Sequence, residues 1–250
     1  TDVVIEVMGG VEPAYSYIKQ ALASQCHVVT ANKELIAKRG VELETVARQY
    51  GVQLLYEASV GGGIPLIGVL QNFLKTNRIT ELHGILNGTT NYILTQMERL
   101  GRPFADVLQE AQDKGYAEAD PTADVEGYDA VYKLAIVTRL AFGIDVPLQM
   151  IHREGISDIT PIELRLARES GYTMKLLASA HLTDGRYPRL EVRPILVPLS
   201  HPLAAISDVY NALHVVGDVV QDITLIGQGA GEKPTASAVV EDVTNVYRLA

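Results

Sequence analysis

Asp2-Val-Val-Ile-Glu-Val-Met8, closed by Gly9-Gly10, reads as a fully buried strand, and the alternation it begins decides the fold. Glu12-Pro13 opens a helix to about Ser24, and His27 to Thr30 is a second strand. Ala31-Asn32-Lys33 is its loop. A second helix runs from Glu34 to Tyr50 with Leu35, Ile36, Leu43, Val46 and Ala47 inward, and Val52 to Tyr56 is a third strand. Short apolar strands alternating with helices imply a parallel sheet, and hence an α/β fold. In such a sheet ligands sit beyond the carboxyl ends of the strands, which are here Gly9-Gly10, Ala31 to Lys33, and Glu57 onward.

Past the third strand the pattern changes. Glu57-Ala-Ser-Val-Gly-Gly-Gly-Ile-Pro65 carries three consecutive glycines, which either form a hinge or turn backbone carbonyls and amides toward a common centre. A helix from Pro65 to about Leu74 leads to a period-two strand, Arg78 to Leu86. Asn87-Gly-Thr-Thr-Asn-Tyr92 then starts a helix, either N-capped by Thr89 or Thr90 or offering free amide groups to a carboxylate. Pro103 opens a helix to about Lys114, and Ile162 to Ser170 is another. Lys175 to Leu182, Leu190 to Val197, Val209 to Val215 and Asp222 to Ile226 read as strands, with Gly185, Pro188, Pro198 and Pro202 in their loops. The expected architecture is therefore a partial Rossmann-type parallel sheet in residues 1–57. An α+β unit with a mixed or antiparallel sheet occupies 58–226, and 227–250 forms a closing helix.

The densest chemistry lies at Gly115 to Lys133, where five carboxylates precede a single ammonium. Glu118, Asp120, Asp124 and Glu126 fall in a loop with Pro121 and two glycines, an arrangement that awaits a cationic ligand or metal. From Gly127 the spacing becomes helical, and Asp129 lies one turn before Lys133. Apolar neighbours at 130, 136, 137 and 140 make Lys133 a part-desolvated amine suited to proton transfer. Taken alone, an acid four residues before a lysine is commonly a solvated surface pair.

Composition narrows the classes. A net charge of -9 argues against a nucleic-acid surface, which needs clustered Lys and Arg, and no apolar run approaches the roughly 20 residues of a membrane span. Cys26 is the single cysteine, so no internal disulfide forms and the cytoplasm is the expected compartment. His181, His201 and His214 show no metal-ligand spacing and read as structural. The fingerprint Gly-x-Gly-x-x-Gly is missing before residue 60, and Val3-Val4-Ile5 begins a strand with no lead-in. The natural protein is therefore expected to extend upstream, with that fingerprint in the upstream part. Gly227-Gln-Gly-Ala-Gly231 imitates a dinucleotide loop at the wrong spacing.

Ala111-x-x-x-Gly115-Tyr116, followed by Asp120-Pro121-x-x-Asp124-Val125-x-Gly127-x-Asp129-x-x-x-Lys133, resembles the homoserine dehydrogenase signature throughout. The resemblance covers nearly the whole chain. It implies NAD- or NADP-linked interconversion of L-homoserine and L-aspartate 4-semialdehyde, in the aspartate-derived route to threonine, methionine and isoleucine. Carried over by position, Lys133 is the proton donor, Lys33 assists, and Asp129 orients the reacting hydroxyl. Glu118, Asp124, Asp129 and Thr89 hold the substrate, and Gly9, Gly10, Lys33, Gly115 and Gly231 face the cofactor. The family also places a monovalent cation, Na+ or K+, on the Glu57 carboxylate and the main-chain oxygens of Val60, Gly62 and Ile64. Pairing through the substrate-domain sheet implies a homodimer. Two other readings stand beside this one: a Schiff-base lysine enzyme of aldolase type using Lys133, and a fragment serving only as a structural or oligomerisation module.

Overall fold

The computed structural model describes residues 2–183 and 187–248, and the turn expected around Gly185 lies outside them. Three parallel strands come first, in the order β1 (Val3–Glu6), β2 (His27–Thr30) and β3 (Leu54–Leu55). They are connected by α1 (Ala14–Ala23) and α2 (Lys33–Tyr50). Asn32 starts α2, its Oδ1 accepting the Leu35 N–H at 3.1 Å, and Gly51 closes that helix in the left-handed conformation. β1 is shorter than the expected Asp2–Met8 strand and departs from its full burial, because Ile5 within it and Val7 and Met8 beyond it are exposed. It is the edge of this sheet, so only one of its flanks pairs with another strand among the described residues.

The segment after β3 holds α3 (Leu66–Gly68), which runs into a π-helical turn at Val69–Phe73 where an ordinary helix was expected. Apolar residues four apart, here Leu66, Leu70 and Leu74, are buried in either geometry, so the pattern does not distinguish them.

The remaining elements build a second sheet and its cover. In chain order they are β4 (Ile79–Ile85), α4 (Gly88–Leu100), α5 (Phe104–Asp113), α6 (Thr122–Val125) and α7 (Tyr128–Phe142). Then come β5 (His152–Arg153), α8 (Pro161–Glu169), β6 (Tyr172–Thr183), β7 (Tyr187–Pro198), β8 (Tyr210–Gly217), β9 (Gln221–Gln228) and α9 (Glu232–Arg248). The strand order is β5-β7-β6-β4-β8-β9, antiparallel except for the β5–β7 pair, so the sheet is mixed. The two-residue β5 and four-residue α6 are too short to leave a period in the sequence.

One continuous core joins the two sheets. Leu82, Leu176, Ala178 and Leu213 face Leu134, Ile136 and Val137 of α7, and the same cluster continues into Leu35 and Leu43 of α2. Each such leucine, fully buried, contributes roughly 1.5–3 kcal/mol. The other face of the six-stranded sheet carries a smaller cluster, Ile85, Leu177, Val197 and Ala212, covered by Leu203 and Ile206 of the turn at 202–206. α9 returns to the first sheet, where Ala238 and Val239 pack on Val29 and Ala58. The Glu57 N–H donates to Asp242 Oδ2 at 2.8 Å, fastening α9 beside the glycine triplet. Among the described residues no helix is long and apolar enough to cross a membrane.

Candidate active site

The first turn of α7 sets the centre of the site. Gly127 precedes it in the left-handed conformation, and a Cβ there would meet Val192 Cγ1 at 3.2 Å, so glycine lets the helix start close against β7. Asp129 and Lys133 then lie on one helical face, Oδ2 to Nζ at 2.7 Å, with side chains 5% and 8% exposed. This is no surface pair. Lys133 Nζ also donates to Leu86 O at 2.7 Å, and the second Asp129 oxygen, Oδ1, receives Lys33 Nζ at 2.8 Å. Asn87 completes the cluster, its Nδ2 donating to Asp129 Oδ2 at 2.9 Å and to Asp124 Oδ1 at 2.7 Å.

These contacts fix the charges. Burial alone would push the Asp129 carboxyl up, but the ammonium groups of Lys133 and Lys33 outweigh it and hold the carboxyl well below the usual range. Partial burial pulls Lys33 down, and the charges of Asp129, Asp124 and Glu118 more than offset this, leaving it raised. Asp124 is pushed up by burial first and by the Asp129 charge second, against the hydrogen bond from Asn87. One carboxylate is thus firmly ionised between two cations, while its neighbour sits where negative charge is disfavoured unless a cation arrives.

The acidic loop divides. Glu118 and Asp124 line the same cleft as Lys33, Lys133 and Asp129, a space of about 520 Å³. Asp120 instead accepts the Thr122 N–H at 3.1 Å, and Glu126 turns away to Ser157 and Arg153. Thr89 lines the cleft too, but its Oγ1 donates to Tyr116 O at 2.7 Å and so ties the loop to α4. Neither Thr89 nor Thr90 caps that helix. Asn87 Oδ1 accepts the Thr90 N–H at 2.9 Å, which leaves both threonines inside α4. Asn87 is the side chain of this cluster that sequence reasoning missed. Its signal was an asparagine directly after a strand and two residues before a Thr-Thr pair.

Gly115 and Gly231 line the cleft in left-handed or related backbone conformations, at φ +73° and +111°. Gly9 and Gly10 lie outside this lining, at the carboxyl end of the first strand, with nothing within 4 Å of a Cβ on either. Asn32 Nδ2 donates to Gly10 O at 2.6 Å, joining the first strand's turn to the residue before Lys33. Open glycine turns beside a half-exposed lysine leave room for an anionic nucleotide to approach the backbone, so these residues fit such a cofactor.

The glycine triplet packs against the turn after β9. Gly63 N–H donates to Gln228 O at 3.1 Å, and a Cβ on Gly62 would lie 2.7 Å from Gly229 O. Glu57 accepts the Ile67 and Gly68 N–H groups at 2.8 and 2.7 Å. Burial, with Asp242 adding, pushes its carboxyl up to about 7 against those two donors. Val60 and Ile64 are buried in the same turn, and the Ile64 carbonyl also accepts the Leu66 N–H. A part-buried carboxylate short of positive charge, beside a carbonyl-bearing turn, is a hard oxygen donor set that fits an alkali ion.

The family model described as "Homoserine dehydrogenase" matches residues 65–244, and the one described as "Homoserine dehydrogenase, NAD binding domain" matches residues 1–57. The chain belongs to the homoserine dehydrogenase family. It is 48% identical to the homoserine dehydrogenase of Bacillus subtilis over 247 residues, 99% of this chain and 57% of that protein. A crystal structure of a homoserine dehydrogenase from Thiobacillus denitrificans superposes with a TM-score of 0.96 at 48% identity, again covering 99% of this chain and 57% of the other. A hyperthermophilic archaeal homoserine dehydrogenase, solved in complex with NADPH, matches with a TM-score of 0.87 at 28% identity over all of this chain and 72% of its own. The chain therefore spans somewhat over half the length of the curated homoserine dehydrogenases it matches.

Proposed function

We propose that this chain carries the catalytic part of an NAD- or NADP-dependent oxidoreductase that interconverts L-homoserine and L-aspartate 4-semialdehyde. The observation that carries the reading is the Lys133–Asp129–Lys33 bridge, set in a cleft whose other charged walls are Asp124 and Glu118. An amino-acid substrate brings an ammonium, and Asp124 and Glu118 offer it carboxylates. Asp129 orients the reacting oxygen. A nicotinamide nucleotide held at the glycine turns and Lys33 would supply hydride to the aldehyde carbon. As negative charge grows on the aldehyde oxygen, Lys133 stabilises it and transfers a proton from Nζ, giving the hydroxyl; in the reverse direction the same nitrogen takes the proton back. Lys33, half-exposed and bonded to the other Asp129 oxygen, assists from the cofactor side, and Gly9, Gly10, Gly115 and Gly231 would face the cofactor.

A Schiff-base role suits Lys133 less well, because its nitrogen is committed to Leu86 O and Asp129 Oδ2. Glu57, with the carbonyls of Val60, Gly62 and Ile64, would hold a monovalent cation whose part is to brace the junction between the sheets. Two copies would pair through the face of the six-stranded sheet that the turn at 202–206 covers only in part. The single cysteine suits the reducing cytoplasm.

The deciding experiment follows nicotinamide absorbance with the full-length protein and L-aspartate 4-semialdehyde. Oxidation of NADH or NADPH is expected, and a rate at background with both cofactors overturns the reading.

A further inference from the structure

β4 and β6 pair antiparallel, and three side chains unused by the chemistry above meet on the face they turn away from α7. The register sets Glu81 opposite His181 and His83 opposite Ser179, while Leu82 between them points into the main core. Glu81 Oε2 lies 3.2 Å from His83 Nε2 and 3.4 Å from His181 Nδ1. One donor atom from each residue falls within 4.8 Å of the other two. We propose that Glu81, His83 and His181 form a binding site for a divalent transition-metal ion of the zinc class.

Geometry is the first support. Ligands about 2.0–2.2 Å from a tetrahedral zinc lie roughly 3.3–3.6 Å from one another. Two of the three edges already have about that length, and the third, between the edge-on rings of His83 and the 39% exposed His181, would close by a rotation of His181. The second support is the ring orientation of His83. Its other nitrogen, Nδ1, lies 3.1 Å from the Oγ of buried Ser179, which fixes the ring and presents Nε2 to the site, as outer hydrogen bonds do for metal-bound imidazoles. His214, opposite His83 on β8, stacks on it with ring centroids 6.3 Å apart, and His201 meets His214 edge-on at 4.9 Å. Two imidazoles and a carboxylate select zinc, cobalt or nickel over an alkali ion, which separates this site from the Glu57 turn. Three protein ligands leave one position for water or for a group from a second copy, since this face is also the one proposed for pairing.

Histidines can stack in a sheet without any ion, and the test is built to separate that case. Full-length protein, stripped with a chelator, is titrated with Co2+ and, separately, dialysed against Zn2+. About one ion per chain and the visible absorption of tetrahedral cobalt are expected. His181→Gln and Glu81→Gln should each weaken binding at least about tenfold, and Ser179→Ala should weaken it roughly 10- to 100-fold through the loosened His83 ring. His181 and Glu81 are partly exposed, so these two variants keep the test valid if the buried Ser179 change harms folding. His152→Gln breaks the separate His152–Glu154 pair, 2.7 Å apart, and should leave affinity unchanged. No retained zinc, unaltered binding in His181→Gln, or binding lost with His152→Gln would each overturn the site.

Discussion

Asp129 and Lys133 meet one helical turn apart, Oδ2 to Nζ at 2.7 Å, with each side chain less than a tenth exposed. Removing one partner of such a pair exposes the other to an uncompensated environment. Lys133→Ala leaves Asp129 still matched by Lys33, so the fold should persist while turnover falls roughly 10²- to 10⁴-fold, the scale for losing a general acid. Asp129→Asn leaves two cations facing each other and should cost about 3–5 kcal/mol of stability as well as activity. Urea unfolding and steady-state kinetics read the two effects, and a near-normal rate in Lys133→Ala would remove that residue from the mechanism.

Asn87 does two jobs with one side chain, capping α4 through Oδ1 and bonding Asp124 and Asp129 through Nδ2. Asn87→Ala should therefore destabilise by more than the roughly 1 kcal/mol of a lost cap, and homoserine affinity should fall with it. A thermal shift no larger than that of an ordinary cap variant would separate the two jobs.

Thr89 and Glu118 line the cleft differently. Thr89→Val cuts the bond to the Tyr116 carbonyl and frees the loop that carries Glu118, so KM for homoserine should rise more than kcat falls. Glu118→Gln removes only charge and should raise KM for homoserine with the loop intact. Equal KM in wild type and Glu118→Gln would reject the ammonium contact.

Glu57 and Asp242 give the protein a signed pH dependence. Burial raises both, to about 7 and about 6, so the folded chain holds these protons more tightly than the unfolded one. Stability from this pair is present below the unfolded carboxylate range, near 4.5 for Glu57, and declines as pH rises to about 7. The alkali ion proposed at Glu57 would oppose that loss. At a pH of about 8, above both folded values, the unfolding midpoint should be higher in NaCl or KCl than in tetramethylammonium chloride of equal ionic strength, and Glu57→Gln should abolish the difference. Identical midpoints in the wild type would remove the cation from this turn.

The parts of this fold that obey local periods were legible. Alternating apolar strands and helices gave β1 to β3 and the parallel sheet, and the four-residue spacing of Asp129 and Lys133 placed them on one face. Contacts made by packing alone were not. Lys33 reaches Asp129 because α2 begins beside α7, and nothing in either segment announces the other. Asn87 was read as part of a turn whose caps were assigned to threonines, although its amide side chain, one bond longer than theirs and both donor and acceptor, reaches Thr90 N–H and two carboxylates at once. His181 reads as isolated because strand neighbours are set by sheet register: it meets His83, which the sequence did not single out, only once β4 lies against β6. Burial of β1 was overestimated because an apolar composition does not say whether a strand lies inside a sheet or at its edge.

The hydrogen bond from the Glu57 amide to Asp242 spans 185 residues of chain. A nascent polypeptide emerging from the ribosome therefore presents the three-stranded sheet long before the helix that buttresses it has been translated. Val29 and Ala58 stay uncovered during that interval, a window in which a chaperone would find an apolar strand to hold.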